Sequence, residues 1–147
     1  MLPPAAPCHG RGVGGRKALA GTWFEQAEAD LRAAEDSAAA EHHEWSCFQC
    51  QQAGEKALKA FLYAQGRTSI VTHSLRRLAA ECLAVESAFT AVDDDARLLD
   101  QYYIATRYPN GLDEDTPPSR YYDRKDAQRC LQSARSILAR VKPFFAS

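Results

Sequence analysis

An arginine within an aromatic stretch is the most suggestive chemical feature of the sequence. Residues 100–110 read DQYYIATRYPN, so Arg107 is followed by Tyr108 and Pro109. Because a proline disfavours helical backbone in the residue before it, we expect a helix to end at Arg107, with the guanidinium beside the last carbonyls. Arginine offers a fork of donors that suits phosphate, and Tyr103 supplies a flat face on which a base can stack.

Further basic and aromatic side chains would join Arg107 if the helices pack side by side. Lys56 lies on an earlier helical segment, and Arg120 and Tyr121 lie in the loop after Pro109. Together they predict a local phosphate-binding patch. The alternative is a solvated face with tyrosines at the bundle rim, in which Arg107 only caps its helix and pairs with an acidic residue of 113–115.

The cysteines and histidines give weaker signals. Cys47 and Cys50 have the spacing of half a zinc ribbon, but no second pair of ligands matches it, so we interpret them as core thiols and predict no metal site. The odd total of five cysteines, with several on apolar helix faces, favours free thiols over a disulfide framework. His73 precedes Ser74 at a helix start and needs a partner within hydrogen-bond reach for any catalytic role.

Length and charge limit the class of protein. The chain has 147 residues, 46 % of them hydrophobic, and a formal net charge of −1. These values suit one core and provide no global positive field for long nucleic acids. No apolar run approaches the roughly 18 residues that span a bilayer, and residues 1–21 lack the apolar block of a secretory signal. We therefore expect a soluble, cytoplasmic protein with no membrane association.

Hydrophobic periodicity predicts an all-α fold, an antiparallel up-and-down bundle of four to five helices. The Pro- and Gly-rich residues 1–21 are interpreted as a flexible leader or an expression remnant, and residues 22–147 as the folded domain. The first predicted helix runs from Thr22, as N-cap, to about Ala40, and the second from Glu44 to Gly66. The third starts near His73 and Ser74, and the fourth runs from the acidic residues 93–95 to Arg107. The fifth runs from Asp123 to near Pro143.

Two further features of this pattern carry expectations. Gly54 lies inside the second helix, where it costs about 1 kcal/mol relative to alanine, as is typical where another backbone comes close. The connection from Pro109 to Tyr122 is long for a compact domain, and loops of that length are often functional.

Four runs, in this order, resemble the HEPN domain, whose name stands for higher eukaryotes and prokaryotes nucleotide-binding. They are WSCFQCQQAGEKALKAFLYAQG, His73-Ser74-Leu75, YYIATRYPN, and the pair Asp126-Ala127 after a tyrosine-containing loop. The resemblance covers about residues 23 to 145. The start of the second helix, EWSCFQC, looks particularly like the branch found in the chaperone-related protein sacsin.

The resemblance implies an up-and-down bundle that forms a homodimer, and for the sacsin-like branch a proposed ability to bind nucleotides such as GTP. Tyr103, Arg107, Tyr108 and Pro109 match the family's Tyr-x-x-x-Arg-Tyr-Pro signature, in which the arginine faces a groove. Many other members are ribonucleases, often toxins paired with small nucleotidyltransferases. Those members carry a histidine shortly after the equivalent arginine.

This sequence departs from the ribonuclease pattern because no histidine follows Arg107. Arg67 and His73 have a compatible spacing, but they straddle a loop, and we interpret that match as coincidence. The favoured function is therefore a non-catalytic nucleotide-binding and homodimerisation module of a chaperone-related kind, with GTP or ATP as ligand, no cofactor and no RNA substrate. The alternatives are a purely structural interaction module and a ribonuclease toxin with an atypical site.

In the favoured interpretation Arg107 contacts phosphate, Lys56 and Arg120 assist, and Tyr103 or Tyr121 stacks on a base. A nucleotide carries enough negative charge for local arginines to bind it despite the neutral global charge. No glycine-rich phosphate loop followed by lysine and a hydroxyl residue is present, so hydrolysis of the P-loop kind is not expected.

Overall fold

The computed structural model describes residues 13–109 and 115–145, and these ranges contain helices and no β-strand. The all-α class is confirmed. The α-helices, in chain order, are α1 Val13–Ala39, α2 His43–Ala64, α3 Leu75–Val85, α4 Asp93–Asp100, the single turn α5 Pro118–Tyr121, and α6 Arg124–Val141. Among the described residues, the 3₁₀ helix Ser87–Val92 precedes α4 and the 3₁₀ helix Lys142–Phe144 follows α6.

The second helix, α2, is the central element of the bundle. It packs against α1 and α6 and also contacts α3 and α4. Its buried face includes Cys47, Cys50, Leu58 and Phe61, as the periodicity of the sequence predicts. Because burying one large apolar side chain contributes about 1.5–3 kcal/mol, this face supplies much of the energy that assembles the helices.

Gly54 makes room on α2 for side chains of three other helices. A Cβ at this position would lie 2.6 Å from Leu75 Cδ2, 3.2 Å from Leu99 Cδ1 and 3.3 Å from Ile137 Cδ1. The expectation that another backbone approaches here is therefore wrong, since the neighbours are side chains of α3, α4 and α6. Close packing of all three depends on the missing methyl group.

The ends of α1 and α2 share one backbone arrangement. Gly66, with φ 95°, follows α2 in the left-handed region, and the next N–H groups donate back to carbonyls of the last turn. This confirms the predicted stop. α1 ends in the same way around Glu41, with φ 66°. A residue with a Cβ adopts this conformation at a cost of about 1–2 kcal/mol.

The predicted start of the first helix is wrong. α1 begins at Val13 rather than Thr22, and the Thr22 hydroxyl donates to the Ala18 carbonyl at 3.0 Å inside the helix. The KALA run before Thr22 consists of strong helix formers, and Ala20 is fully buried, which outweighs the nearby glycines. The proposed leader thus overlaps α1, and its residues 1–12 lie outside the described ranges.

The predicted end of the fourth helix is also wrong. α4 ends at Asp100, and residues 101–107 form successive turns rather than continuing the helix to Arg107. The Tyr102 ring is buried, and its hydroxyl donates to Asp126 Oδ1 at 3.1 Å. Anchoring this ring to α6 is a tertiary contact that overrides the local helical pattern.

Within the described ranges, no helix combines the length and the apolar composition that crossing a bilayer requires.

Candidate functional site

A line of polar residues lies within the buried surface of α2. Gln51, Glu55 and Lys59 recur at a spacing of four, which places them on one side of the helix, and no more than 4 % of any of them is exposed. Lys59 Nζ lies 3.0 Å from Glu55 Oε2, and Gln51 Nε2 lies 3.4 Å from Glu55 Oε1. We call these three residues the α2 polar line. Buried charges are costly even when they are paired.

The α2 polar line holds a histidine from the connection between α2 and α3. His73 Nδ1 lies 3.3 Å from both carboxylate oxygens of Glu55, and the Gln51 amide donates to the His73 carbonyl at 3.3 Å. Because a carboxylate only accepts hydrogen bonds, Nδ1 carries the proton here, and Nε2 is the nitrogen left to accept one. The His73 side chain is 57 % exposed. A histidine oriented by a buried carboxylate is therefore within reach of solvent.

The start of α3 fixes the backbone directly after His73. Ser74 is the N-cap of α3, which confirms the start predicted from the sequence. Asp100 at the end of α4 accepts hydrogen bonds from the Leu75 N–H at 2.7 Å and the Arg76 N–H at 3.0 Å. A carboxylate is stabilising at the positive end of a helix. α4 thereby ties the α2–α3 connection to the bundle.

Tyr103 joins His73 to Arg107. Its ring stacks on the imidazole with centroids 5.3 Å apart and planes 17° from parallel. The Arg107 guanidinium lies 4.4 Å from the Phe48 ring centroid, 5.0 Å from that of Tyr103 and 5.3 Å from that of Tyr108. Such cation–π contacts contribute about 0.5–2 kcal/mol. We call the set Glu55, His73, Tyr103 and Arg107 the His73–Arg107 site.

The guanidinium of Arg107 keeps donors available. Its Nε donates to the Tyr103 carbonyl at 3.1 Å, and it forms no ion pair with a carboxylate in the ranges that the structure describes. It does not cap α4, which has already ended. A pairing with residue 113 or 114 lies outside the described residues. Arg107 is thus a cation held by aromatic rings, with a geometry suited to an incoming anion.

Lys56 is not brought to this site. Its Nζ pairs with Asp30 Oδ2 of α1. Lys56 follows Glu55 directly, and adjacent residues of a helix point in different directions, so one contacts His73 and the other contacts α1. No contact among the described residues joins Lys56 to Arg107, so the structure gives no support to the prediction that Lys56 assists it.

Arg120 and Tyr121 are likewise joined to other partners. Arg120 donates to the Asp115 carbonyl at 3.2 Å, and the exposed Tyr121 ring packs edge-on against Tyr122, with centroids 5.1 Å apart. No contact among the described residues connects either of them to Arg107. Of the residues predicted to bind nucleotide, Tyr103 and Arg107 are the pair in direct contact.

Sequence reasoning missed Glu55, which orients His73, and Phe48, which supports Arg107. Glu55 and Lys59 look like an ordinary exposed pair at spacing four, because that spacing also stabilises solvated helices. Small or apolar residues stand on both sides of Glu55, with Ala53 and Gly54 before it and Ala57 and Leu58 after it. That pattern was the available signal that this part of α2 is buried on more than one face.

Within the part of the chain that the structure describes, the cysteines take no part in this site. Cys47, Cys50, Cys82 and Cys130 are buried free thiols, as predicted for the core. Burial raises the pKa of the Cys82 thiol to about 12 and also raises that of Cys50 above its usual range, which makes both poor nucleophiles. The described residues contain no group of three or more His, Cys, Asp or Glu that could hold a metal ion.

Fold and site together define a helical-bundle protein with a histidine–carboxylate pair beside a ring-stacked arginine. The chain belongs to the HEPN domain family, whose model matches residues 20–143. It is 38 % identical to TT1696 from Thermus thermophilus, whose crystal structure matches with a TM-score of 0.75 over 84 % of this chain and 96 % of that one. It is 32 % identical to ST0689, an archaeal HEPN homologue, with a TM-score of 0.71 over 86 % and 98 % of the two chains.

A relative from Methanocaldococcus jannaschii bears a functional name. The chain is 28 % identical over 130 residues to "Putative toxin MJ1304", a match that covers 83 % of this chain and 85 % of the relative. None of the names of these relatives refers to sacsin or to a chaperone. The resemblance of EWSCFQC to the sacsin-like branch therefore finds no support, and Cys47 and Cys50 of this run are core residues.

Proposed function

We propose that this chain is an RNA-cleaving module of the toxin type, in which His73 transfers protons and Arg107 binds the scissile phosphate. The observation that carries the proposal is the contact of His73 with the buried Glu55 carboxylate and, through the stacked Tyr103 ring, with the Arg107 neighbourhood. Phosphodiester cleavage needs a proton acceptor and a cation at the phosphate. The similarity to a relative named as a toxin supports the same function.

In the sequence, the absence of a histidine after Arg107 argues against ribonuclease activity. The structure removes that argument. An imidazole from the α2–α3 connection reaches the neighbourhood of Arg107 through space instead of following it in the chain. The proposed site is accordingly the atypical alternative, and it replaces the non-catalytic module as the leading function.

The chemistry assigned to each residue follows from its contacts. Nε2 of His73 takes the proton of the RNA 2′-hydroxyl as that oxygen attacks phosphorus. The bond from phosphorus to O5′ breaks, and O5′ receives a proton from the imidazolium, leaving a 2′,3′-cyclic phosphate and a 5′-hydroxyl. Glu55 stabilises the imidazolium and holds the ring orientation, and Arg107 stabilises the charge on the phosphate oxygens. DNA lacks the attacking hydroxyl and is not a substrate.

Exposed aromatic rings beside the site favour a single-stranded substrate. Trp45 packs edge-on against Phe48, with centroids 6.3 Å apart, and Tyr108 lies beside Arg107. About half of the surface of Trp45 and of Tyr108 is exposed. Stacking on such rings is worth about 1–3 kcal/mol per unpaired base, and duplex RNA does not present its bases in this way.

A second candidate is non-catalytic binding of a nucleoside triphosphate such as GTP or ATP. The guanidinium of Arg107, which lacks a carboxylate partner in the described ranges, favours it. Either function is compatible with a homodimer, which the family resemblance implies.

Cleavage of labelled oligonucleotides tests the proposal. The purified chain is incubated with single-stranded RNA and with DNA of the same sequence, with EDTA present, beside His73→Ala and Arg107→Ala. His42→Ala, at an exposed histidine of the α1–α2 turn, is the matched control. We expect cleavage of RNA alone, with 2′,3′-cyclic phosphate ends, and a loss of about 10²–10⁴-fold in His73→Ala.

The alternatives give different results in the same experiment. Undamaged RNA together with saturable, Arg107-dependent binding of GTP or ATP in titration calorimetry favours the second candidate. Unchanged cleavage in His73→Ala shows that His73 has no part in the reaction.

A further inference from the structure

A polar cleft of about 180 Å³ lies beside His73 in the chain. It is formed by the α2–α3 connection and the first turns of α3, and its polar walls are Arg67, Ser69, Thr72, Arg77 and Glu81. We call it the Arg77 cleft. Two guanidinium groups and two hydroxyls face one carboxylate, so donors and positive charge predominate. Walls of this composition suit an anion with several oxygens.

Arg77 is the cation of this cleft that is free to bind. Arg67 is occupied, since its guanidinium lies 3.1 Å from Glu81 Oε1. Arg77 is exposed, and in the described ranges its guanidinium forms no ion pair. The backbone N–H of Arg77 donates to Ser74 Oγ at 3.2 Å, which leaves the guanidinium outside this hydrogen bond.

The cleft and the His73–Arg107 site are adjacent but separate. Thr72 lines the cleft directly before His73, and its hydroxyl accepts from the Ser74 N–H at 3.1 Å, which holds the intervening backbone in one conformation. The Arg107 contacts, by contrast, are with the Phe48, Tyr103 and Tyr108 rings. A single-stranded RNA carries a phosphate at every linkage and can offer one to Arg107 and another to the cleft, whereas a mononucleotide has no second linkage to offer.

We propose that the Arg77 cleft is a second phosphate subsite, which binds a backbone phosphate of the single-stranded RNA next to the linkage held by Arg107. This inference rests on the proposed function. One phosphate held by Arg77 and another held by Arg107 fix the register of the strand. Because Thr72 of the cleft directly precedes His73, one linkage is then presented to the imidazole. Phosphate contacts of this kind position a nucleic acid without reading its sequence.

Steady-state cleavage of a short and a long substrate tests the subsite. An octanucleotide and a dinucleotide of RNA are compared in the wild type, in Arg77→Ala and in Arg140→Ala, which removes another exposed arginine from α6. We expect Arg77→Ala to raise KM for the octanucleotide about tenfold, with kcat and the dinucleotide reaction unchanged, and to lower the salt slope of octanucleotide binding by about 0.7. Arg140→Ala should match the wild type.

A second variant and a binding measurement separate failure of the subsite from failure of the proposed function. Ser69→Asp adds a negative charge to the cleft without touching Arg77 and should give the same rise in KM. Fluorescence anisotropy of a labelled octanucleotide reports binding even if no RNA is cleaved. If the wild type cleaves no RNA but both variants bind the octanucleotide more weakly than it does, the subsite is supported and only the cleavage function has failed. Equal octanucleotide affinity and KM in the wild type and both variants overturns it.

Discussion

The two buried lines along α2 differ in what burial does for the protein. The apolar line, in which Gly54 lies among Cys47, Leu58 and Phe61, stabilises the fold through every apolar side chain that leaves water. The α2 polar line is buried almost as completely, but its ion pair must first offset the desolvation of two charges. A buried ion pair is weak evidence for stability. Its presence on a helix that could be apolar all round is better explained by the hydrogen bonds it makes to His73.

The largest expected effect comes from breaking the polar line. Glu55→Leu leaves the Lys59 charge buried and unpaired and should lower the free energy of unfolding by about 3–5 kcal/mol. The double variant Glu55→Leu with Lys59→Met should regain most of that loss, because replacing a buried pair by apolar groups is often neutral. RNA cleavage should stay lost in both. Urea unfolding and the oligonucleotide assay measure the two quantities.

A surface pair provides the control for this comparison. Glu35 and Arg135 form an ion pair at 2.9 Å with about half of each side chain exposed, so Glu35→Leu should change stability by only about 0–1 kcal/mol. If the double variant cleaves RNA as fast as the wild type, the α2 polar line is structural and the contrast between the two lines has no functional meaning.

Filling the space at Gly54 tests how tightly the apolar line is packed. Gly54→Ala places a methyl group 2.6 Å from Leu75 Cδ2. Overpacking of a core costs about 1–3 kcal/mol, and the better helix propensity of alanine offsets about 1 kcal/mol. We therefore expect a net loss of about 1 kcal/mol in urea unfolding, without loss of RNA cleavage at temperatures where the variant is folded.

Shortening the nearest neighbour is the matched test of that explanation. Leu75→Val in the Gly54→Ala background removes the contacting carbon and should recover part of the stability. A Gly54→Ala variant more stable than the wild type would mean that the side chains of α3, α4 and α6 move aside freely, and that the glycine is not needed for packing.

The apolar line could be predicted from the sequence and the polar line could not. Cys47, Leu58 and Phe61 follow the helical period of 3.6 residues, which is a local property of the chain. Glu55 and Lys59 have a spacing that is equally common on solvated faces. Whether such a pair is buried depends on what packs over it, and that is decided by His73 and the other helices, not by the pair itself.

The site was half predictable for a similar reason. Arg107 and Tyr103 stand out by type and spacing, but the stacking of Tyr103 on His73 requires the chain to leave the helix at Asp100. The turn follows from the Tyr102 hydroxyl, which bonds to Asp126 across 24 residues. Hydrophobic periodicity does not report such a long-range contact. It therefore predicts a helix that continues to Arg107, and it does not predict that Tyr103 stacks on His73.

The smallest expected effect is on the thiols of the core. In a Cys8→Ser background, the remaining thiols should react with a disulfide reagent at pH 8 on the order of 100-fold more slowly than in the unfolded chain, because buried, protonated thiols react only after opening.

The raised pKa of Cys82, about 12 against an ordinary 9.0, adds a pH effect. Its contribution to stability is present below about pH 9 and is lost as the pH rises from there, since the unfolded thiol releases its proton first. Glu55→Leu should speed the reaction more than Gly54→Ala, because a larger loss of stability raises the population of the open form further. Equal rates in the two variants would mean that the thiols are exposed by a local opening that involves neither buried line of α2.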